Sequence, residues 1–200
     1  MSLLLFLRHA EPEEDSRGRC YGSLDVGLSR AGAEHAERLA RELAGLPLDA
    51  VYSSPRRRAL DTAAPIAAVH NLVPEADNRL RELDFGILEG RRYEEIERSE
   101  PELFCAWMET PTEVSFPGGE SYADLRRRAV AACDEIRRRN PCALVVTHGG
   151  VVRAVVSECL AIPAALIFRL DQSYGGLTVV DWIEETPILR LLNGTMPSDR

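Results

Sequence analysis

Two apolar runs of strand length end in histidine, and no other feature constrains the fold of this chain as strongly. Leu3-Leu4-Leu5-Phe6-Leu7 leads into Arg8-His9, and Ala143-Leu144-Val145-Val146-Thr147 leads into His148-Gly149-Gly150. Continuous apolar runs mark strands covered on both faces, as in a parallel sheet flanked by helices. Ligands of such sheets sit beyond the carboxyl ends of the strands. The chain has four histidines in 200 residues, so two at strand ends, one of them beside Arg8, predict a shared site.

The segments between strands carry helical periodicity. Ser29 is placed to cap a helix with Ala36, Leu39, Ala40 and Leu43 on one face, stopped by Gly45 and Pro47. Ala50 to Ser53 reads as a second strand. Ser54-Pro55 opens a second helix with Leu60, Ala63, Ala64 and Ala67 inward and a kink at Pro65. Residues 71–120 hold four of the twelve prolines. They read as an irregular insertion outside the sheet, with one short helix from Tyr93 to Glu97, that covers or walls a site. Ser121 caps a long helix with Leu125, Ala129, Ala132, Cys133 and Ile136 on one side. A helix from Gly150 to Leu160 and strands at 177–183 and 188–192 complete the chain. The alternation predicts a single α/β domain over residues 1–200, a three-layer α/β/α sandwich with a mostly parallel sheet.

Composition narrows the chemistry. The formal net charge is −8 and the chain contains no lysine, all 24 basic residues being arginine. Schiff-base and P-loop lysines are excluded, and the surface will not attract nucleic acid. Any bound anion must be held by guanidinium groups, whose planar forks match phosphate oxygens. Five cysteines, an odd number without a Cys-x-x-Cys pair, argue against a disulfide framework and suit a reducing compartment. No apolar run approaches a membrane span, and no basic segment precedes the first apolar stretch. The expectation is a soluble, cytoplasmic protein. The oligomeric state is left open, a homodimer being compatible with the sequence.

The second strand ends at Ser53-Ser54-Pro55-Arg56-Arg57-Arg58, so a basic cluster begins at a helix N-terminus, where free N–H groups and the macrodipole favour anions. Taken in order, four blocks resemble the histidine phosphatase superfamily, which also contains cofactor-dependent phosphoglycerate mutase. They are Leu7-Arg8-His9-Ala10-Glu11; Ser53 to Ala63; Leu80-Arg81-Glu82-Leu83-Asp84-Phe85-Gly86 with Glu89-Gly90; and Thr147-His148-Gly149-Gly150.

The resemblance implies a phosphoglycerate mutase-like fold and a role for each matched residue. His9 would be the nucleophile, forming a phosphohistidine that water hydrolyses. Arg8, Arg58 and His148, with Gly149 nearby, would hold the phosphoryl oxygens, His148 most effectively when protonated. Glu82 would protonate the leaving alkoxide, which requires burial or a nearby anion to raise its pKa. Neutral imidazole is a competent nucleophile at pH 7 without a metal, so no metal and no cofactor is expected.

Three departures stand out. Ala10 replaces the family's glycine, Pro12 and Glu14-Asp15 replace its Thr and Trp-Asn, and Ser16 is the candidate to supply the missing phosphate contact. Arg19 to Asp25, Pro117 to Ser121 and Gly149 to Ala154 resemble α-ribazole phosphatases of the cobalamin pathway. This makes Cys20, Tyr21 and Gly22 candidate substrate contacts and α-ribazole 5′-phosphate a candidate substrate.

The expected partner is therefore a small phosphomonoester, with Phe85, Tyr93, Trp107, Phe116 and Tyr122 as candidate pocket rings for a nucleoside-like group. Phosphoglycerate mutase is the main alternative, though mutases are usually longer. A non-catalytic binding module on the same fold is a third reading, disfavoured because Arg8, His9, Arg58, Glu82 and His148 are all present. Cys133 to Arg139 has the Cys-x5-Arg spacing of cysteine phosphatases, but it lies in a helical pattern beside two acids that would raise the thiol pKa. His35 and His70 fall in or at the ends of helices and read as structural.

Overall fold

The computed structural model describes residues 2–16 and 18–195. Its sheet has six strands: β1 (Ser2–Arg8), β2 (Ala50–Ser53), β3 (Glu75–Ala76), β4 (Cys142–Thr147), β5 (Leu177–Ile183) and β6 (Thr186–Gly194), in the order β3-β2-β4-β1-β5-β6. The pairs β1–β4, β2–β4 and β2–β3 are parallel, while β5 runs antiparallel to β1 and to β6. The long helices are α1 (Arg30–Leu43), α2 (Arg57–Val69), α5 (Tyr122–Arg139) and α6 (Gly149–Cys159), and two shorter ones, α3 (Tyr93–Ser99) and α4 (Pro101–Glu109), lie between them.

Side-chain alternation along β1 divides the core. Leu5 and Leu7 pack with Leu39, Leu43, Ala63 and Ile66 of α1 and α2. Leu4 and Phe6 pack on the other face with Leu125, Ala129, Val152 and Val155 of α5 and α6. The three-layer sandwich follows, because both faces of the apolar strands must be covered.

Local signals explain the helix starts. Ser29 accepts the Gly32 N–H, and Ser121 and Asp124 form a reciprocal capping box at the head of α5. On α2 the inward face is Ala59, Ala63, Ile66 and Ala67, whereas Ala64 is exposed and Leu60 only half-buried. The stripe keeps Ala63 and Ala67 but takes Ala59 and Ile66 in place of the expected Leu60 and Ala64. A run dominated by alanine leaves the phase of the stripe poorly marked. The helix continues through Pro65.

Residues 71–120 are more ordered than their prolines suggest. Glu75–Ala76 joins the sheet edge beside β2. Pro101 stands at the first turn of α4, where its missing N–H costs nothing. The segment builds a small core of its own from Leu88, Ile96, Trp107, Val114 and Phe116, closed by Cys20. Cys133 lies inside α5, its thiol pushed up by burial, which removes it as a phosphatase nucleophile. Among the described residues no helix is long and apolar enough to cross a membrane.

Candidate active site

Parallel pairing places the two histidines together. Arg8 stands opposite Thr147 in the β1–β4 register, so His9 and His148 leave neighbouring strands side by side. Their ring centroids are 5.1 Å apart, and both are buried. The His9 Nδ1 lies 2.8 Å from the Ala10 carbonyl. A carbonyl only accepts, so Nδ1 carries the proton and Nε2 keeps its lone pair. Ala10 donates its N–H to Thr62 Oγ1, which in turn donates to the Arg58 carbonyl. Ala10 is not among the residues with positive φ, so the methyl group that replaces the family's glycine is accommodated without backbone strain.

The cations converge on the same point. Arg58 is wholly buried, its Nη1 on Leu24 O and its Nη2 on Tyr21 O and Gly22 O. Arg8 donates Nη1 to the Gln172 carbonyl and lies 4.2 Å from the centre of the Tyr174 ring. These carbonyls fix the guanidinium planes. Yet Arg8 Nε, Arg58 Nε and His148 Nδ1 are buried with no hydrogen-bond partner among the described residues. Buried donors left unpaired are costly, and three around one cleft call for an anion. Burial lowers the pKa of Arg58, and the nearby Glu82 acts in the opposite direction.

His148 caps α6, so Gly149 is its first residue and packs near Arg8 Nε. Its Nε2 is 2.7 Å from Ser54 Oγ, which also accepts the Arg56 N–H. That hydroxyl can donate to Nε2 or accept from it, and a His148 protonated on the unpartnered Nδ1 would present a donor there. Both imidazoles are held well below the ordinary histidine value. Burial is the main cause, followed by Arg58, with Arg8 contributing in each case.

Glu82 lies in the same cleft, its Oε1 accepting the Leu83 N–H and its Oε2 the Gly150 N–H. Gly150 lets the carboxyl group approach the head of α6, since a Cβ there would lie 2.2 Å from Glu82 Oε1 and turn that side chain aside. Arg128 holds the segment that carries Glu82 through the carbonyls of Arg79, Arg81 and Glu82 and a nearly buried pair with Glu120.

Together Arg8, His9, Arg58 and Glu82 line a cleft of about 140 Å³. Its rim adds Arg19, Tyr21, Gly22, Phe85 and Tyr93. Gly22 is confined more strictly than Gly150, because a Cβ there would lie 1.7 Å from the backbone carbonyl oxygen of Leu83.

Of the sequence candidates, His148 and Gly149 adjoin His9 and Arg8 without lining the cleft itself, and two others lie elsewhere. The Ser16 hydroxyl donates to the Glu13 carbonyl, and the residue does not line the cleft. Cys20 points into the small core under the 71–120 segment, its thiol pushed up to about 12 by burial and then by Glu89. Of the candidate rings, Phe85 and Tyr93 reach the cleft. Trp107 and Phe116 belong to the small core, and Tyr122 sits in the main core with its hydroxyl near Ser157.

Sequence reasoning gave Arg19 no role and missed Tyr174. Arg19 is tied by Asp15 O and Gly90 O. Tyr174 is hydrogen bonded to Tyr21 and tilted against His9. Among the described residues no group of three His, Cys, Asp or Glu side chains could hold a metal ion.

An α/β sheet with imidazoles, unpaired guanidinium donors and a carboxyl group converging beyond its strand ends defines an enzyme that handles phosphorylated ligands. The chain belongs to the histidine phosphatase superfamily, branch 1, whose model matches residues 4–195, and it is a hydrolase that removes phosphate. It is 35% identical over 197 residues to phosphoserine phosphatase 1 of Hydrogenobacter thermophilus, covering 98% of this chain and 93% of that one. YhfR of Bacillus stearothermophilus superposes with a TM-score of 0.92 at 27% identity, covering 98% of both chains. A protein of Escherichia coli, provisionally named an alpha-ribazole-5'-P phosphatase, superposes with a TM-score of 0.88 at 25% identity and 96% coverage of each chain.

Proposed function

We propose that the cleft hydrolyses a small phosphomonoester through a phosphohistidine on His9, without a metal ion. The observation that carries this reading is the fixed tautomer of His9. Its Nδ1 proton is engaged by Ala10 O, so Nε2 presents a lone pair in a cleft shared with two arginines and Glu82. Attack by Nε2 on phosphorus breaks the bond to the leaving oxygen, and Glu82 gives that oxygen its proton. Water then attacks the phosphohistidine and returns a proton to Glu82.

Charge spreading over the transferring oxygens meets Arg8 Nε, Arg58 Nε and His148 Nδ1–H, donors already in place before reaction. The neutral His148 can donate from Nδ1, and a bound dianion would favour its protonated form. Gly149 contributes the N-terminal end of α6, whose dipole favours the same charge.

Tyr21 and Gly22 at the rim and the rings of Phe85 and Tyr93 suit a leaving group with a nucleoside-like part. This supports α-ribazole 5′-phosphate as the first substrate to test, and with it a place in cobalamin biosynthesis. Phosphoserine, named for the Hydrogenobacter relative, is the second. The test is phosphate release from α-ribazole 5′-phosphate, phosphoserine, 3-phosphoglycerate and sugar phosphates. Free phosphate is the expected product. Conversion of 3- to 2-phosphoglycerate without release would make the chain a mutase instead.

A further inference from the structure

A second cavity of about 670 Å³ lies next to the catalytic cleft, and Tyr93 forms a wall of both. It opens between α4 and the 3-10 turn Ala164–Arg169, and its sides are Phe104, Trp107, Met108 and Phe168. Tyr93 is the ring common to both linings, and ring contacts join the rest. Phe85 and Tyr93 line the cleft, and their centroids lie 5.3 and 5.6 Å from Trp107, which faces the groove with Phe104. One aromatic wall therefore runs from the phosphoryl site into the groove.

The groove also gathers exposed apolar surface. Phe168 is 55% exposed, Met108 53% and Tyr93 39%. Large apolar side chains clustered in a concavity mark a binding site, whereas scattered ones need no explanation. Phe168 is moreover held in place. Arg153 of α6 stacks over its ring at 5.4 Å and donates Nε to the Leu170 carbonyl. Such packing makes the wall pre-formed. The volume is that of a small-ligand pocket, whose usual range is about 300–1,000 Å³.

We infer that this groove receives the alcohol part of the substrate, and that the preferred substrate is a phosphomonoester whose alcohol bears a planar, apolar aromatic ring. The inference rests on the phosphatase reading of the cleft. Phosphate is held at Arg8 and Arg58, the ester oxygen faces Glu82, and the ring passes Tyr93 to lie against Trp107, Met108 and Phe168. A small polar alcohol leaves this surface uncovered and gains nothing from it.

Benzimidazole riboside 5′-phosphate and ribose 5-phosphate share a primary alkyl leaving group and differ in the ring. The expected kcat/KM ratio favours the aromatic ester by about tenfold or more, a gain of the size that ring burial supplies. Phe168→Ala, which removes a wall, and Ala165→Trp, which fills the groove, should each lower that ratio by roughly fivefold, mainly through KM. Turnover of ribose 5-phosphate reports whether each variant is folded. A wild-type ratio near one, or a ratio unchanged in both variants, overturns the inference. So does a concentration-dependent dimer that Phe168→Ala abolishes with the ratio intact, which would assign the groove to a second copy. Failure to hydrolyse either ester or p-nitrophenyl phosphate is a different result and would remove the phosphatase reading itself.

Discussion

His9 and His148 differ in what their second nitrogen does. His9 is tied through Nδ1 and exposes Nε2, while His148 is tied through Nε2 and leaves Nδ1 unpaired. In the proposed mechanism the first attacks and the second donates to the phosphoryl oxygens. Their lowered pKa values carry a stability consequence. In the unfolded chain each imidazole takes up a proton as pH falls through about 6.5, whereas in the fold it resists protonation. The unfolded state then binds more protons, so the contribution is fully present above pH 6.5 and is lost on acidification. Each imidazole adds up to about 1.4 kcal/mol per pH unit to that slope. Urea titrations between pH 6.5 and 5.5 should show a shallower loss of stability in His148→Gln than in the wild type. Parallel slopes would contradict the assignment.

Gly150 offers a test of Glu82 at the same scale. In Gly150→Ala the new Cβ would meet Glu82 Oε1 at 2.2 Å, so the carboxyl group must move. An acid catalyst matters most for poor leaving groups. Hydrolysis of alkyl phosphates should fall by roughly 10²-fold more than that of p-nitrophenyl phosphate. Equal losses on both substrates would take Glu82 out of the acid role.

At the scale of elements, the catalytic groups are held by partners distant in sequence. Arg128 on α5 binds three carbonyls around Glu82 and pairs with Glu120, both side chains being nearly buried. Removing one member of a buried pair leaves the other charge uncompensated. Arg128→Leu should therefore cost about 3 kcal/mol in urea denaturation, and a loss under 1 kcal/mol would show that the pair bears little stability.

None of this network was legible from spacing, since 46 residues separate Arg128 from Glu82. The strands were legible because β1, β2 and β4 are short apolar runs bounded by turn residues, and α1 and α5 because a serine cap precedes a clear stripe. Helix α4 was not, because the apolar residues of Pro101 to Glu109 serve the small core rather than the main one. The prolines that suggested irregularity include one that starts this helix.

For the whole molecule, sheet topology explains both the success and the gap in locating the site. Parallel pairing brings His9 and His148 together from positions 139 residues apart, and a strand-end rule anticipates that. Strand β5, however, runs antiparallel to β1, with Leu177 opposite Leu7. The loop that leads into it, with Gln172 and Tyr174, therefore arrives at the catalytic end of the sheet. Strand direction cannot be read from an apolar run, so Tyr174 went unnoticed.

The whole-molecule charge is equally instructive. In this acidic chain Arg8, Arg19 and Arg58 gather in one cleft, the proposed site of the phosphoryl group. Positive potential focused there attracts a dianion, and salt screens it. Raising ionic strength from about 0.01 to 0.15 M should lower kcat/KM for phosphomonoesters. EDTA should leave turnover unchanged, and recovery of lost activity by a divalent ion would require a metal in the mechanism.

The central claim is that His9 carries the phosphoryl group. Brief reaction with a 32P-labelled phosphomonoester followed by acid and base treatment tests it most directly. The account predicts label on the wild-type protein that is lost in acid and kept in base, mapped to His9 and absent from His9→Ala. A His9→Ala protein that turns over at the wild-type rate, or label that survives acid, would contradict it.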